Sequence, residues 1–597
     1  MNVLELPQRP ISPEQEPPLP PAPEKEPPHP AAPGPGLVQG GLRRLADAAL
    51  DRVDPVGFGR ALAIEAAGLL RHPLSTAGAI ARWANGALVA TGVSAARAVG
   101  APSEGPMPLP AKDRRFGDKT WTENALFFWL LQHHLLREQL AKELVALARL
   151  EETTERKARM ASQLLVDALA PTNFILTNPN ALRRAFETGG LSTLRGVRKW
   201  LDDLRTREGW PRLVNRSGFE VGKNLASTPG KVVYRNRLFE LIQYAPQTEK
   251  VHAVPLLCSP PFINKYYIMD LAPGRSFVEW AVKNGHTTFC MSYRNPDVTL
   301  ADVGFGDYLL EGPLEALRVV KEITGASKVN VAALCVGGTL ATMLAAYLAA
   351  TGDPSLNSLT LMNTLVDFSE PGPLGAYTDR PTVERLLRRV QRKGLLESQE
   401  MARTFNLLRP NDLYFNYFGS AWMMGEEPPG FDLLAWNDDG TRVPARLLSE
   451  YLRGCYLDNA LARDEMTVRG QRLRLGAVQQ DTFIVGAVED HITPWRSAFR
   501  TTSLLGGKVE FVLSSSGHIA GVVNPPSKSA AYWLQEHLHE TPEEWQVGST
   551  RHADTWWNSW ARWIGSRAGE QVPAPKRLGS EQYPPLTEAP GLYVTER

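Results

Sequence analysis

Hydrophobic and polar positions divide this 597-residue chain into three regimes. Residues 1–37 have no apolar period, and PEQEPPLPPAPEKEPPHPAAPGPG within them is rich in Pro, Glu and Ala. Proline fixes φ and removes an amide donor, so a disordered tail or extended spacer is expected there. From 38 to 216 apolar residues recur at helical spacing, which predicts an all-α N-terminal domain. Helices are expected over 57–70 and 78–99, with a third helical stretch over 121–156. In that stretch Leu126, Phe127, Phe128, Trp129, Leu130 and Leu131 form an apolar cluster, a partner surface or, more commonly, packing for its own domain. His133 and His134 lack a second ligand pair at metal spacing and read as structural.

After residue 216 the rhythm changes. Short β-rich runs at 253–261, 286–294, 328–334, 481–490 and 508–518 alternate with helical runs. Buried strands separated by amphipathic helices predict an α/β domain over 217–597 with a mostly parallel sheet. Between 367 and 453 the strand signal disappears, which predicts a helical cap or lid inserted over the site. The longest charge-free run, 329–352, is broken by Gly337-Gly338 and turns from Val-rich to Ala/Leu-rich. It therefore reads as strand, turn and helix rather than a membrane span.

Composition narrows the function classes. Lys plus Arg total 65 against 64 Asp plus Glu, so a net charge of +1 gives no electrostatic footprint for nucleic acid. The four cysteines, Cys258, Cys290, Cys335 and Cys455, form no CxxC pair. That argues against a zinc ribbon or disulfide framework and suits a reducing compartment. The opening MNVLELPQRP lacks the basic start and apolar run of a signal peptide, so a cytoplasmic location is expected.

Candidate chemistry centres on KVNVAAL followed by Cys335-Val336-Gly337-Gly338-Thr339 and an Ala/Leu-rich helix. A strand running into a nucleophile and straight on into a helix is the geometry of a nucleophile elbow, with glycines permitting close approach. A buried core cysteine is the competing reading, and this segment alone leaves the two balanced. Asp490 follows a late strand and His518 the next, giving the order nucleophile, acid, base of an α/β-hydrolase triad. His491 sits on the acid's own loop and reads as structural or supporting.

With those residues the chain resembles the class I polyhydroxyalkanoate synthases. The resemblance runs from about Asp118 to the end. It includes SPPFINKYYIMDL (259–271), GHTTFCMSYRNPD (285–297), RPNDLYFNY (409–417), FDLLAWNDD (431–439), EDHITPW (489–495) and GHIAGVVNPP (517–526). It implies an α/β-hydrolase fold that polymerises (R)-3-hydroxyacyl-CoA through an acyl-cysteine on Cys335, with His518 as base. Asp490 would orient the histidine or help it activate the incoming 3-hydroxyl. The oxyanion hole would use the amide of Val336 and one from the Phe262-Ile263 turn, and Trp436 would serve the lid or the substrate, a core aromatic being the equally open reading. Ala520 in GHIAG resembles the short-chain enzymes, which suggests units such as 3-hydroxybutyryl.

The same resemblance implies no cofactor and no metal, CoA being the leaving group. It implies a homodimer, the growing chain and granule surface as partners, and phasin-type granule proteins beside it. The N-terminal helix and Trp556, Trp557, Trp560 and Trp563 are candidate granule or dimer surfaces, a packed terminal helix being the other reading of those tryptophans. Ala333 departs from the family pattern, which usually has glycine two residues before the cysteine. A cysteine-dependent acyl-CoA thioesterase or depolymerase remains an alternative, as does a non-catalytic granule-associated paralogue.

Overall fold

The computed structural model describes residues 54–101, 103–110 and 113–597. The expected tail over 1–37 and the first part of the helical region lie outside the described residues.

Helices Phe58–Leu70, Pro73–Ala98, Ala125–Leu147, Glu152–Ala168, Pro179–Glu187 and Leu191–Thr206 make up most of the described chain before the sheet. The stretch expected over 121–156 divides at residues 148–151. The backbone turns left-handed at Arg149 (φ 48°), and the Glu151 carboxylate accepts the amides of Thr153 and Thr154 to start the next helix. Phe128 and Leu131 are each 1% exposed while Leu126 is 60% exposed, so the apolar cluster mostly serves its own domain. His134 is buried against Phe116, and no cluster of metal-ligating residues occurs among the described residues.

Among the described residues eleven strands form one sheet. In chain order they are β1 Gly230–Arg235, β2 Phe239–Tyr244, β3 Leu256–Ser259, β4 Thr288–Tyr293, β5 Val329–Leu334 and β6 Leu356–Met362. There follow β7 Asp481–Ala487, β8 Val509–Ser514, β9 Tyr532–Leu534, β10 Thr550–His552 and β11 Thr587–Glu588. Their spatial order is β10-β9-β8-β7-β6-β5-β3-β4-β2-β1-β11. Strands β3 to β8 are mutually parallel, and the edges on both sides are antiparallel. All five expected β-rich runs are in the parallel centre. The sixth parallel strand, β6, was not anticipated, because LNSLTLM mixes Asn, Ser and Thr among its leucines. Inside the sheet those polar groups are satisfied, Ser358 by Asn330 at 2.7 Å for example.

Helix Trp556–Gly565 covers one face of the sheet. Trp556, Trp557, Trp560 and Trp563 are 0–7% exposed, and the Trp560 indole donates to Thr360 Oγ1 of β6 at 3.0 Å. They are therefore not a granule or dimer surface. Burying such large rings against the sheet removes more apolar area from water than any other choice at that position. Exposed apolar side chains gather instead on the N-terminal helices, where Leu70, Leu74, Val99, Leu176 and Phe186 are 80–89% exposed.

Between β6 and β7 the chain forms the cap. It includes helices Arg380–Lys393, Ser398–Leu407, Asp432–Asn437 and Ala445–Tyr451 and a short ladder of Leu395–Leu396 with Val443–Pro444. Its helical character continues past the expected boundary at 453 to Leu457.

Candidate active site

Strand β5 lies between β3 and β6 and ends at Leu334, and helix Val336–Thr351 begins two residues later. Cys335 occupies the turn with φ 53° and ψ −128°, a conformation that L side chains adopt only when the surroundings enforce it. Its amide donates to Met362 O at 2.9 Å, and its carbonyl accepts from Gly338 at 2.8 Å. The two glycines that follow make this turn possible. A Cβ on Gly337 would stand 2.4 Å from Pro260 O, and one on Gly338 would stand 2.0 Å from Thr364 Oγ1. Ala333, by contrast, is fully buried within the ladder opposite Ser259 and Leu361, and its methyl fits there.

Cys335 is the one cysteine of the four that is not buried. Burial pushes the thiols of Cys258, Cys290 and Cys455 up, which keeps them inert.

Asp490 follows β7 and His518 follows β8, so both project from the same sheet edge as Cys335. Asp490 Oδ2 and His518 Nδ1 are 2.7 Å apart, both side chains buried. The sulfur of Cys335 lies close enough to the same imidazole to help raise its pKa. With Nδ1 on the carboxylate, Nε2 is the nitrogen left for the sulfur. Burial alone lowers the affinity of His518 for its proton, but the charges of Asp490 and Cys335 outweigh it and raise its pKa to about 10. Burial likewise opposes ionisation of Asp490, yet His518 and the hydrogen bonds of Thr493 hold it below the usual carboxylate range.

The other expected residues fall around this centre. Val336 opens the helix, where the first-turn amides have no intrahelical acceptor. Phe262 and Ile263 wall the same cavity as Cys335 and Val336, and the Phe262 carbonyl accepts from Thr441 of the cap at 3.1 Å. The cavity, of about 200 Å³, lies beneath the cap, with Leu386, Leu396, Phe405, Leu448 and Tyr451 among its walls.

Two family models match the chain: the poly-beta-hydroxybutyrate polymerase N-terminus over residues 112–281 and the alpha/beta hydrolase fold over 275–525. A poly(3-hydroxyalkanoate) polymerase subunit from Cupriavidus necator is 42% identical over 81% of this chain and 83% of its own length. A poly(3-hydroxyalkanoate) polymerase from Methylorubrum extorquens is 41% identical over 83% of each chain. Poly(3-hydroxyalkanoate) polymerase 1 from Ectopseudomonas oleovorans is 40% identical over 81% of this chain and 87% of its own. The chain belongs to the poly(3-hydroxyalkanoate) polymerase family. It is an acyltransferase built on an α/β-hydrolase fold.

In this polymerase-family chain Trp436 is not part of the cavity wall. Its side chain is almost wholly buried, and its indole N–H donates to Lys265 O at 2.8 Å. An indole inside a core needs an acceptor, and that one ties the cap to the loop carrying Phe262 and Ile263. His491 is held down to about 4 by burial and the neighbouring His518, and no bond links it to the three central residues.

Sequence reasoning missed four residues. The Thr493 hydroxyl lies 2.7 Å from Asp490 Oδ2, 3.2 Å from His518 Nδ1 and 3.1 Å from Asn363 O. Asn363, with φ 43°, donates its side-chain amide to the His518 carbonyl. Thr493 was legible in principle, because a Thr three residues after a loop Asp is a familiar turn partner. Asn363 sits just past the unrecognised strand β6 and gave no signal. Tyr451 and Tyr456 wall the cavity next to Cys335, and burial pushes both hydroxyls up, so they stay protonated.

Proposed function

We propose that the chain polymerises (R)-3-hydroxyacyl-CoA into polyhydroxyalkanoate through an acyl-cysteine on Cys335. The observation that carries this reading is the partly exposed thiol at a strained elbow, beside a histidine that a buried carboxylate orients. In the first step the sulfur of Cys335, with the proton held on His518 Nε2, attacks the thioester carbonyl. The oxyanion meets the amide of Val336 and one from the Phe262-Ile263 turn. Collapse breaks the C–S bond to CoA, and the departing thiolate takes the proton back from the imidazolium. In the second step His518, oriented by Asp490, removes the proton of the 3-hydroxyl of an incoming acyl-CoA, whose oxygen attacks the acyl-cysteine carbonyl. The C–S bond to Cys335 breaks and the sulfur takes the proton from the imidazolium. The lengthened chain, now on CoA, returns to Cys335 by a repeat of the first step. Exchanging one thioester for another is close to balanced in energy, and ester formation then draws the sequence onward.

An acyl-enzyme that admits water is a thioesterase, so the enclosure of Cys335 matters. The apolar cap over the cavity favours polymerisation over hydrolysis. Short units such as 3-hydroxybutyryl suit a cavity of this size. No step requires a cofactor or a metal. We assign the exposed leucines and phenylalanine of the N-terminal helices to the granule surface or to a second copy of the chain, with phasin-type proteins as further partners on a cytoplasmic granule. No helix among the described residues is long and apolar enough to cross a membrane.

The deciding experiment incubates purified wild type and Cys335→Ala with (R)-3-hydroxybutyryl-CoA, following CoA release and insoluble product. Polymer with CoA release, both lost in the variant, is the expected result. Free 3-hydroxybutyrate as the sole product makes the protein a thioesterase, and unaltered behaviour of Cys335→Ala removes the covalent mechanism.

A further inference from the structure

Beside the Cys335 cavity lies a second and larger one, of about 600 Å³. Helices Ala125–Leu147 and Glu152–Ala168 close one side of it, and the cap with the loop after Asp490 closes the other. Three chain segments furnish walls to both cavities. In the first, Leu374 and Tyr377 face Cys335, whereas Pro373 and Ala376 face outward. In the second, Thr404 and Phe405 face inward and Leu407 and Leu408 outward. In the third, Ile492 and Thr493 face inward and Pro494 and Arg496 outward. Neighbouring residues of the same three segments therefore line the two spaces, and these segments form the partition between them.

The chemistry of the outer cavity selects its occupant. Its walls include Ala141, Val145, Met160, Leu164 and Leu408, which are apolar. Four cations also line it, but each is already engaged: Lys142 with Glu138 at 2.6 Å, Arg496 with Glu543 at 2.5 Å, Arg156 with Glu152 and Arg159 with Glu155. Their aliphatic stems contribute apolar surface while the heads face carboxylates. That arrangement suits a neutral, apolar occupant better than an anionic one such as CoA. At the partition, the Tyr377 hydroxyl is buried without a hydrogen-bond partner. A buried donor without an acceptor is unfavourable, and an ester carbonyl passing the partition would satisfy it.

We propose that the outer cavity receives the growing polyester as it leaves Cys335, so that the N-terminal helices form one wall of the product's path. The proposal rests on the polymerase reading. Each condensation inserts a unit next to the sulfur and pushes the earlier units away, and a cavity of about 200 Å³ is filled after a few units. The units displaced from it move past Leu374 and Tyr377 into the larger apolar space. A polyester carries no charge along its length, which matches walls whose cations are neutralised.

The test uses the full chain with Ala141→Phe and Met160→Trp combined, which fills the outer cavity from the helical side. Wild type and variant are given (R)-3-hydroxybutyryl-CoA, and the first equivalent of CoA released is timed separately from the polymer molar mass. Expected are a first release within about twofold of wild type and a fall of tenfold or more in polymer mass. Wild-type polymer mass from the variant overturns the proposal. Should the double variant fail to fold, Met160→Cys replaces it: labelling of that residue by N-ethylmaleimide, read by peptide mass spectrometry, slows once Cys335 carries an oligomer. Labelling unchanged by elongation also overturns it. If wild type makes no polymer at all, the polymerase reading and the exit path fall together, whereas normal polymer with unaltered length in the variant removes the exit path alone.

Discussion

Gly337 and Pro260 come so close that a Cβ on the glycine would stand 2.4 Å from the proline carbonyl oxygen, with Ser259 O at 2.6 Å. This contact brings the nucleophile's helix against the end of β3, from which the Phe262-Ile263 turn departs. Both obstructing atoms are backbone and cannot rotate away. Gly337→Ala is expected to destabilise the fold by about 1–3 kcal/mol. By separating Cys335 from the oxyanion turn it should also slow the first CoA release on the order of 100-fold. Thermal unfolding and a single-turnover assay measure the two effects; release at the wild-type rate would detach the turn from catalysis.

Thr493 joins the loop of Asp490 to Asn363 and His518 through one hydroxyl. Thr493→Val keeps the volume and removes that group. A cost of about 1–3 kcal/mol in stability is expected, from buried acceptors left short of a donor. The acylation rate should fall about tenfold, equivalent to roughly 1.4 kcal/mol of transition-state stabilisation. Unaltered acylation would leave Thr493 as a turn residue only.

His518 gives stability a definite pH dependence. Its folded pKa, raised to about 10, lies above the roughly 6.5 of an unfolded histidine. Its contribution is therefore complete below about 6.5 and is lost as pH climbs through 10. Asp490 has the opposite sign: its lowered pKa contributes above the usual carboxylate value of about 3.9, and that contribution is lost as pH falls. Urea unfolding between pH 6 and 10 should show falling stability in wild type. In Cys335→Ala, which removes one source of the upward shift, the fall should start at the same pH but be smaller and end at lower pH. Identical profiles for the two proteins would break the proposed coupling of sulfur and imidazole.

Trp436 distinguishes a structural tie from a substrate contact. Trp436→Phe removes the 2.8 Å bond to Lys265 O while keeping most of the ring volume. About 1–3 kcal/mol of stability should be lost, with KM for the acyl-CoA nearly unchanged. A large rise in KM with stability intact would return Trp436 to the substrate site.

The placement of the candidate site was legible because its parts are local. A strand that ends in a nucleophile and turns at once into a helix is written in consecutive residues, Val329 to Gly338. Asp490 and His518 likewise follow strands whose apolar runs are continuous. The break before helix Glu152–Ala168 is also local, at Arg149 and Glu151, yet the apolar period runs across it and reads as one helical stretch over 121–156. Long-range packing left no such mark. The indoles of Trp556, Trp557, Trp560 and Trp563 look the same in sequence whether they meet a granule, a partner or a sheet.

The sequence by itself determined the order of strands carrying Cys335, Asp490 and His518, and with it the sheet edge on which all three residues stand. Period and chain order suffice for that, because a parallel sheet places every strand's end on one side. Only the tertiary structure decided that the tryptophan helix lies buried on the sheet, that Trp436 braces the cap from outside the cavity, and that Thr493 and Asn363 complete the hydrogen bonding of the acid and base. These depend on which distant segments meet, through burial and hydrogen-bond satisfaction across more than a hundred residues of chain, as between Asn363 and Thr493. No pattern within either segment specifies its partner.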